Sequence, residues 1–323
     1  MSRLDDLIDL LQSANEIYLI NPSRNVRSAF IQVDDLCELA MKSWLQIDTE
    51  LRQKNCQSDL EAASVITTSG HKKSLQEFFL ESRSQPDLEK AIGISGNATK
   101  KASLDSILIN YGHLEDLLHN WKSEIEPGRY KSFHQVANEI EGRKPLPTHQ
   151  DLHDALSRIN DRRANRNKFF HSHEQSGLTV NEQQCLMAFL DLYYLISELF
   201  GSTFAEKLEL SPVVQAQLII MKLKNHAYRA TAAYDEYRQI LRERNFLKVH
   251  PESFGYELCF LYEDAVTFVS TIRQHFQNKI VEHQIRIDAI NNMTRKSHER
   301  SSELSQRQRQ VDILKDVIDS CLQ

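Results

Sequence analysis

Arginines, amides and histidines crowd into one stretch, Asp161-Arg-Arg-Ala-Asn-Arg-Asn-Lys-Phe-Phe-His-Ser-His173. Histidine titrates near neutrality and can take or return a proton. A guanidinium is a planar fork of donors that matches phosphate oxygens, and a neighbouring amide can orient a histidine or hold an oxygen. Together these groups suit cleavage of RNA without a metal. That reaction needs a base for the 2′-OH, an acid for the leaving 5′ oxygen and a cation for the charge that builds on the phosphoryl oxygens. Its product is a 2′,3′-cyclic phosphate. The expected working set is Arg166, Asn167 and His171, with Arg163 and His173 as further candidates and Arg162 and Lys168 as RNA-binding groups. No carboxylate or cysteine cluster accompanies the two histidines, so neither a metal nor another cofactor is expected.

A helix must carry these groups. Pro147 ends the preceding segment, and Thr148 with Asp151 has the spacing of a capping box, which predicts a helix start near Thr148. The inward stripe then runs Leu152, Leu156, Ile159, Arg163, Arg166 and Phe170 at steps of four and three, one face of a 3.6-residue helix. Two arginines stand where the pattern asks for apolar side chains. A guanidinium there costs several kcal/mol unless a carboxylate, a phosphate or a wet cleft receives it, so this end of the helix is expected to face a cleft or a partner. Asn167 and His171 share a face. Arg166 and His171 are about 140° apart on an ideal helix and converge only if the helix breaks or a second subunit contributes, which points to a two-fold arrangement.

An arginine, a polar residue after it and a histidine four to six residues further on form the signature of the HEPN superfamily of helical ribonucleases, and Arg166-Asn167-Lys-Phe-Phe-His171 resembles it. Arg129 with His134 and Arg143 with His149 share the spacing, but tyrosine and lysine follow those arginines. Arg244-Asn245 with His250 carries the asparagine, yet reads as a solvated helix end before Pro251. Only the Arg166 match is followed by a short glycine-containing loop and a long apolar helix. The resemblance covers residues 24 to 200. It implies a metal-independent, dimeric endoribonuclease, of a kind often found as a toxin or antiviral effector, acting on tRNA, rRNA or mRNA, with a possible antitoxin or regulatory protein as a further partner.

The remaining segments predict an all-α chain. Nine glycines and seven prolines in 323 residues leave long 3.6-period segments and few β-branched alternating runs. Leu4 to Leu11 reads as a short amphipathic helix before a break at Asn21-Pro22-Ser23. A longer helix from Arg24 to Lys54 presents Phe30, Val33, Cys37, Ala40, Met41 and Trp44 on one side. Residues 55 to 102 read as inserted short helices, 103 to 121 as a long helix and 129 to 141 as another short one. Thr179 with Glu182 forms a second capping-box pattern, opening a nearly all-apolar helix through Leu186, Leu190, Tyr193, Ile196 and Phe200. Glycine, serine and proline at 201–202 and 211–212 divide a HEPN-like bundle over 1–203 from a C-terminal extension over 204–323. In that extension, stripes through Val214, Leu218, Met221, Tyr234, Tyr237 and Leu241, and from Leu258 to Ile287, predict a helical hairpin. A last helix carries Val311, Leu314, Ile318 and Cys321.

Charge and cysteine content narrow the function classes. A net charge of −6 argues against coating nucleic acid non-specifically, which Lys and Arg drive by neutralising phosphates; RNA contact is expected to be local, and DNA is not an expected ligand. Five scattered cysteines without a C-x-x-C pair suggest free thiols in a reducing cytoplasm. No stretch approaches eighteen apolar residues and the first residues are acidic, so neither a membrane span nor a secretory leader is expected. The absence of a Walker-type loop argues against a nucleotide-driven motor. A plainer reading competes with the nuclease: the arginines complement a helix C-terminus, and the chain is a catalytically inactive helical adaptor that binds a protein or RNA.

Overall fold

A computed structural model describes residues 3–20, 22–62, 64–66, 72–74, 105–106, 131–171, 180–229, 247–249, 256–258, 262–293 and 298–322. It is all-α, with nine helices among the described residues: α1 (Arg3–Ile20), α2 (Pro22–Ala62), α3 (Phe133–Arg143), α4 (Gln150–His171), α5 (Glu182–Phe200), α6 (Ser202–Glu209), α7 (Pro212–Arg229), α8 (Tyr262–Asn291) and α9 (His298–Cys321). Two antiparallel hairpins of three-residue strands, Ser64–Ile66 with Lys72–Ser74 and Leu247–Val249 with Tyr256–Leu258, are the described strands. The first lies where short helices were expected. The second takes Leu258 out of the helix predicted for it, which begins at Tyr262. The helix expected over 103–121 and the stripe residues Tyr234, Tyr237 and Leu241 fall outside the described residues, apart from the helical pair 105–106.

The chain divides into two compact units, Met1–Ala40 with Pro145–Gln323, and Met41–Lys144. The divisions fall near 40 and 144, and α5, α6 and α7, on either side of residue 203, belong to the first unit.

In that first unit α1 is longer than its Leu4–Leu11 stripe suggested. Ala14, Asn15, Tyr18 and Leu19 continue the buried face, where Asn15 Nδ2 donates to Tyr193 Oη at 2.6 Å and to Gln217 Oε1 at 2.8 Å while its Oδ1 is buried without a donor among the described residues. The two donated bonds offset part of the cost of burying that amide. Pro22 then opens α2, where its missing N–H leaves no bond unmade. All six residues predicted for the inner face of α2 are buried.

Helix α5 is the central element, with Leu186, Phe189, Leu192, Leu195 and Ile196 fully enclosed. It starts two residues later than the Thr179 pattern implied, because Asn181 and Gln184 make the reciprocal cap: Gln184 N donates to Asn181 Oδ1 at 2.8 Å and Asn181 N to Gln184 Oε1 at 3.0 Å. Helix α4 likewise begins at Gln150, with His153 N bonded to His149 O at 3.1 Å. Gly201, at φ 54°, turns the chain sharply into α6, a conformation that glycine adopts without penalty. The angle between α5 and α6 is 120°, and no described helix is by itself long and apolar enough to cross a membrane.

The tightest helix pair is α8 with α9, and α7 packs on α8 as well. Ala265, Phe268, Ile272, Phe276, Ile287 and Ile290 form the buried edge of α8, and Val311, Leu314, Val317 and Cys321 that of α9. Val317 takes the buried place expected for Ile318, which is half-buried. One polar pair interrupts this seam: Arg307 Nη1 donates to Nδ1 of the buried His283 at 2.9 Å.

The second unit contains the remainder of α2 and α3. Ser132 and Gln135 cap α3 reciprocally, and Arg143 ties its end to Asp48 on α2 at 2.5 Å and to Glu139 at 2.5 Å.

Candidate functional site

The predicted stripe of α4 is seen in its first half. Leu152, Ala155, Leu156 and Ile159 are all buried. In the second half the stripe turns to arginine, and the question raised by the sequence, what receives those guanidiniums, has a concrete answer: carboxylates of the same unit. Asp34 on α2 accepts from Arg166, whose Nη1 also reaches Asp35 Oδ1 at 2.9 Å. Arg163 Nη1 approaches the same Asp34 at 3.3 Å, and its Nη2 meets Glu38 Oε2 at 2.6 Å. Asp34 and Glu38 lie one turn apart on one edge of α2, which serves two arginines, and Asp35 joins them from the exposed side.

A second group of ion pairs anchors the opposite flank of α4. Asp191, the buried acid of the apolar α5, accepts from Arg158 Nη2 at 2.7 Å and Nε at 3.1 Å, and from Arg162 Nη1 at 2.5 Å. Four arginines (Arg158, Arg162, Arg163, Arg166) therefore meet four carboxylates (Asp34, Asp35, Glu38, Asp191). The cluster is close to neutral. Its members remain strongly polarised by position: the Asp34 side chain is 5% exposed and that of Asp35 60%.

Burial decides how these groups titrate. Desolvation raises the Asp34 carboxyl above its usual range, although the Arg166 hydrogen bond and the charges of Arg163 and Arg166 pull it back. Burial is the largest single influence on Arg166 too and works against its charge, but the bonds to Asp34 and Asp35 with their charges together overcome it and hold that guanidinium above the usual arginine value. Cys37, between the two flanks on α2, is pushed far upward by complete burial. Burial thus favours the thiol over the thiolate. Burial pushes Cys185 up to about 12, and Cys37, Cys185 and Cys321 are unpaired and buried.

Of the residues singled out from the sequence, the structure brings Arg163 and Arg166 together at Asp34, and joins Arg162 to Asp191 instead. Asn167 is exposed. Helix α4 continues unbroken through Lys168 to His171, so the backbone alone sets Arg166 and His171 about 140° apart around one helix. His173 lies outside the described residues. What sequence reasoning missed were the anions: Asp34 sits inside the apolar pattern Phe30, Val33, Cys37, and Asp191 inside the most apolar helix of the chain. A carboxylate in such a place signals a buried cation.

Beside the Asp191 pairs, a cleft of about 390 Å³ is lined by Phe30, Arg158, Arg162, Asn165, Gln183 and Met187, among others. Arg162 Nη2 is buried there without a hydrogen-bond acceptor among the described residues.

No family model, no curated protein and no solved structure matches this chain.

Proposed function

We propose that the chain is a metal-independent endoribonuclease of HEPN type, working as a homodimer on tRNA, rRNA or mRNA. The observation that carries this reading is the intact last part of α4, which presents exposed Asn167 one turn before His171 while Asp34 and Asp35 hold Arg166 at its base. In this reading His171 takes the 2′-OH proton and returns one to the leaving 5′ oxygen, Asn167 orients the histidine or a phosphate oxygen, and Arg166 balances charge on the phosphoryl group. Since Arg166 and His171 diverge on a continuous helix, two copies supply the complementary halves of one site. Arg162 and Lys168 attract the RNA backbone, and His173 is the alternative proton carrier. The C-terminal helices serve assembly, substrate choice or a regulatory protein.

The neutral balance of the arginine cluster favours a second reading, in which these ion pairs only hold α2, α4 and α5 together and the bundle is an inactive adaptor for a protein or RNA. The two separate in one experiment: full-length protein and His171→Ala are incubated with end-labelled total cellular RNA in EDTA, and the fragment ends are analysed. The nuclease reading expects cyclic-phosphate ends from the wild type and none from the variant, with self-association unchanged. Equal inertness of both, at dimer-forming concentrations, favours the adaptor.

A further inference from the structure

A second cleft is walled by α5, α6, α7 and α9. It encloses about 830 Å³, within the range that holds a drug-sized molecule. Leu190, Phe204, Leu208, Leu218 and Ile313 give it an aliphatic and aromatic wall. Along α7 the lining changes character, from Leu218 to Lys222, Asn225 and His226 on successive turns.

The three polar residues on α7 are not equivalent. His226 Nε2 is bonded to Asp316 Oδ2 at 2.7 Å, so that carboxylate is engaged. Lys222 has no carboxylate within ion-pair range among the described residues, and Asn225 Oδ1 is buried there with no hydrogen-bond donor. An unmatched ammonium calls for an anion, and a buried acceptor without a donor is costly until a ligand supplies one. The two needs lie one helical turn apart, at one end of an apolar wall.

We infer that this cleft binds an amphipathic acid: an aliphatic chain against Leu190, Phe204 and Leu218, a carboxylate on Lys222, and a hydroxyl a few atoms from the carboxylate donating to Asn225 Oδ1. Nothing in this assignment depends on ribonuclease activity. No covalent step is involved, only exchange of water for the chain and pairing of one charge.

The probe is 3-hydroxydodecanoate, kept below its critical micelle concentration and titrated by calorimetry into the full-length protein. Saturable one-to-one binding is expected, about fivefold tighter than for dodecanoate, since the hydroxyl satisfies Asn225. Lys222→Met is expected to weaken the acid about tenfold or more while leaving dodecanol unaffected. Asn225→Leu is expected to remove the preference for the hydroxylated acid. Leu218→Trp fills the cleft and is expected to abolish binding, with circular dichroism and thermal midpoint checking that each variant folds. Failure of either acid to bind, equal affinity in wild type and Lys222→Met, or undiminished binding in a folded Leu218→Trp would overturn the assignment.

Discussion

The two halves of α4 occupy the same stripe and do opposite things with it. From Leu152 to Ile159 the helix is held by apolar side chains with no exposed surface to speak of. From Arg163 onward that stripe is held by guanidiniums on the carboxylates of α2, while on the flank Arg158 and Arg162 reach Asp191 of α5. Apolar residues would have stabilised the second half at lower cost, because each ion of a buried pair gives up its hydration. On the nuclease reading, a helix that switches from the cheaper solution to the dearer one midway, at the end bearing Asn167 and His171, has its charges there for more than adhesion. The difference teaches where to look for function: at the place where the packing rule was followed in geometry and abandoned in chemistry.

The contrast can be broken most forcefully at its anions. Asp34→Ala leaves Arg163 and Arg166 without their shared acceptor and is expected to cost about 3–5 kcal/mol, read as a fall in the midpoint of urea unfolding. Leu156→Ala tests the apolar half at the same depth and is expected to cost about 2–5 kcal/mol through lost contact and a cavity. A loss below 1 kcal/mol at Leu156 would show that the first half does not anchor the helix.

The sharper test replaces the costly half by the cheap one. The fourfold change Asp34→Leu, Glu38→Gln, Arg163→Met, Arg166→Met, which takes the Glu38 charge out with its partner, is expected to leave stability unchanged or raise it by about 1–4 kcal/mol, as removal of complete buried ion pairs often does. The nuclease reading expects RNA cleavage to vanish in this stable protein. Retention of whatever activity the wild type has would reduce the arginines to scaffolding.

The smallest effects concern pH, and there the comparison extends to the other compact unit. Asp34 receives Arg163 and Arg166, while Glu139 receives Lys131 and Arg143. Burial carries Asp34 upward despite its partners. Burial is also the largest influence on Glu139, but Lys131 and Arg143 together overcome it and bring that carboxyl below its usual range. The folded state thus binds the Asp34 proton more tightly than the unfolded chain does, so its contribution to stability is present below the ordinary aspartate value and falls as pH rises through the raised one. Glu139 runs the other way, its contribution being present above the ordinary glutamate value and lost as pH falls through the lowered one. Unfolding curves taken from about pH 3 to pH 6, the range around ordinary carboxylate values, are expected to show Asp34→Asn flattening the decline with rising pH and Glu139→Gln flattening the loss on acidification. The same slope in wild type and variant would remove the residue from the account.

Much of this was readable from residue spacing. The α4 stripe, its arginines and their need for a receiver follow from a period of 3.6, as do the inner face of α2 and the burial of α5. The receivers themselves did not, because Asp34 and Arg166 are joined across a separation of 132 residues, and periodicity speaks only of neighbours along one helix. Capping was legible in kind and displaced in position: both the Thr148 and Thr179 patterns preceded the real starts by two or three residues, since Asn181 with Gln184 satisfied the same donors two residues later. The extent of α1 was hidden by Asn15, whose burial depends on Tyr193 and Gln217 from two distant helices. Pairing of α8 with α9, in addition to the packing of α7 on α8, is likewise a choice among amphipathic partners that no single stripe announces.

The His283–Arg307 bond in the α8–α9 seam has a consequence for how those helices find one another. A guanidinium can only donate, so Nδ1 of His283 is the acceptor in this bond. Aliphatic seams are permissive to sliding, because a leucine fits nearly any hole left by another. A histidine lying between Phe276 and Ile287 in the sequence of buried positions is not: displaced by a heptad, about 10 Å along the axis, it would be buried without its donor while Arg307 faced a hydrocarbon wall. This buried pair, with the exposed Arg286–Glu303 pair between the same two helices, therefore works as an indexing pin, fixing the register of α8 against α9.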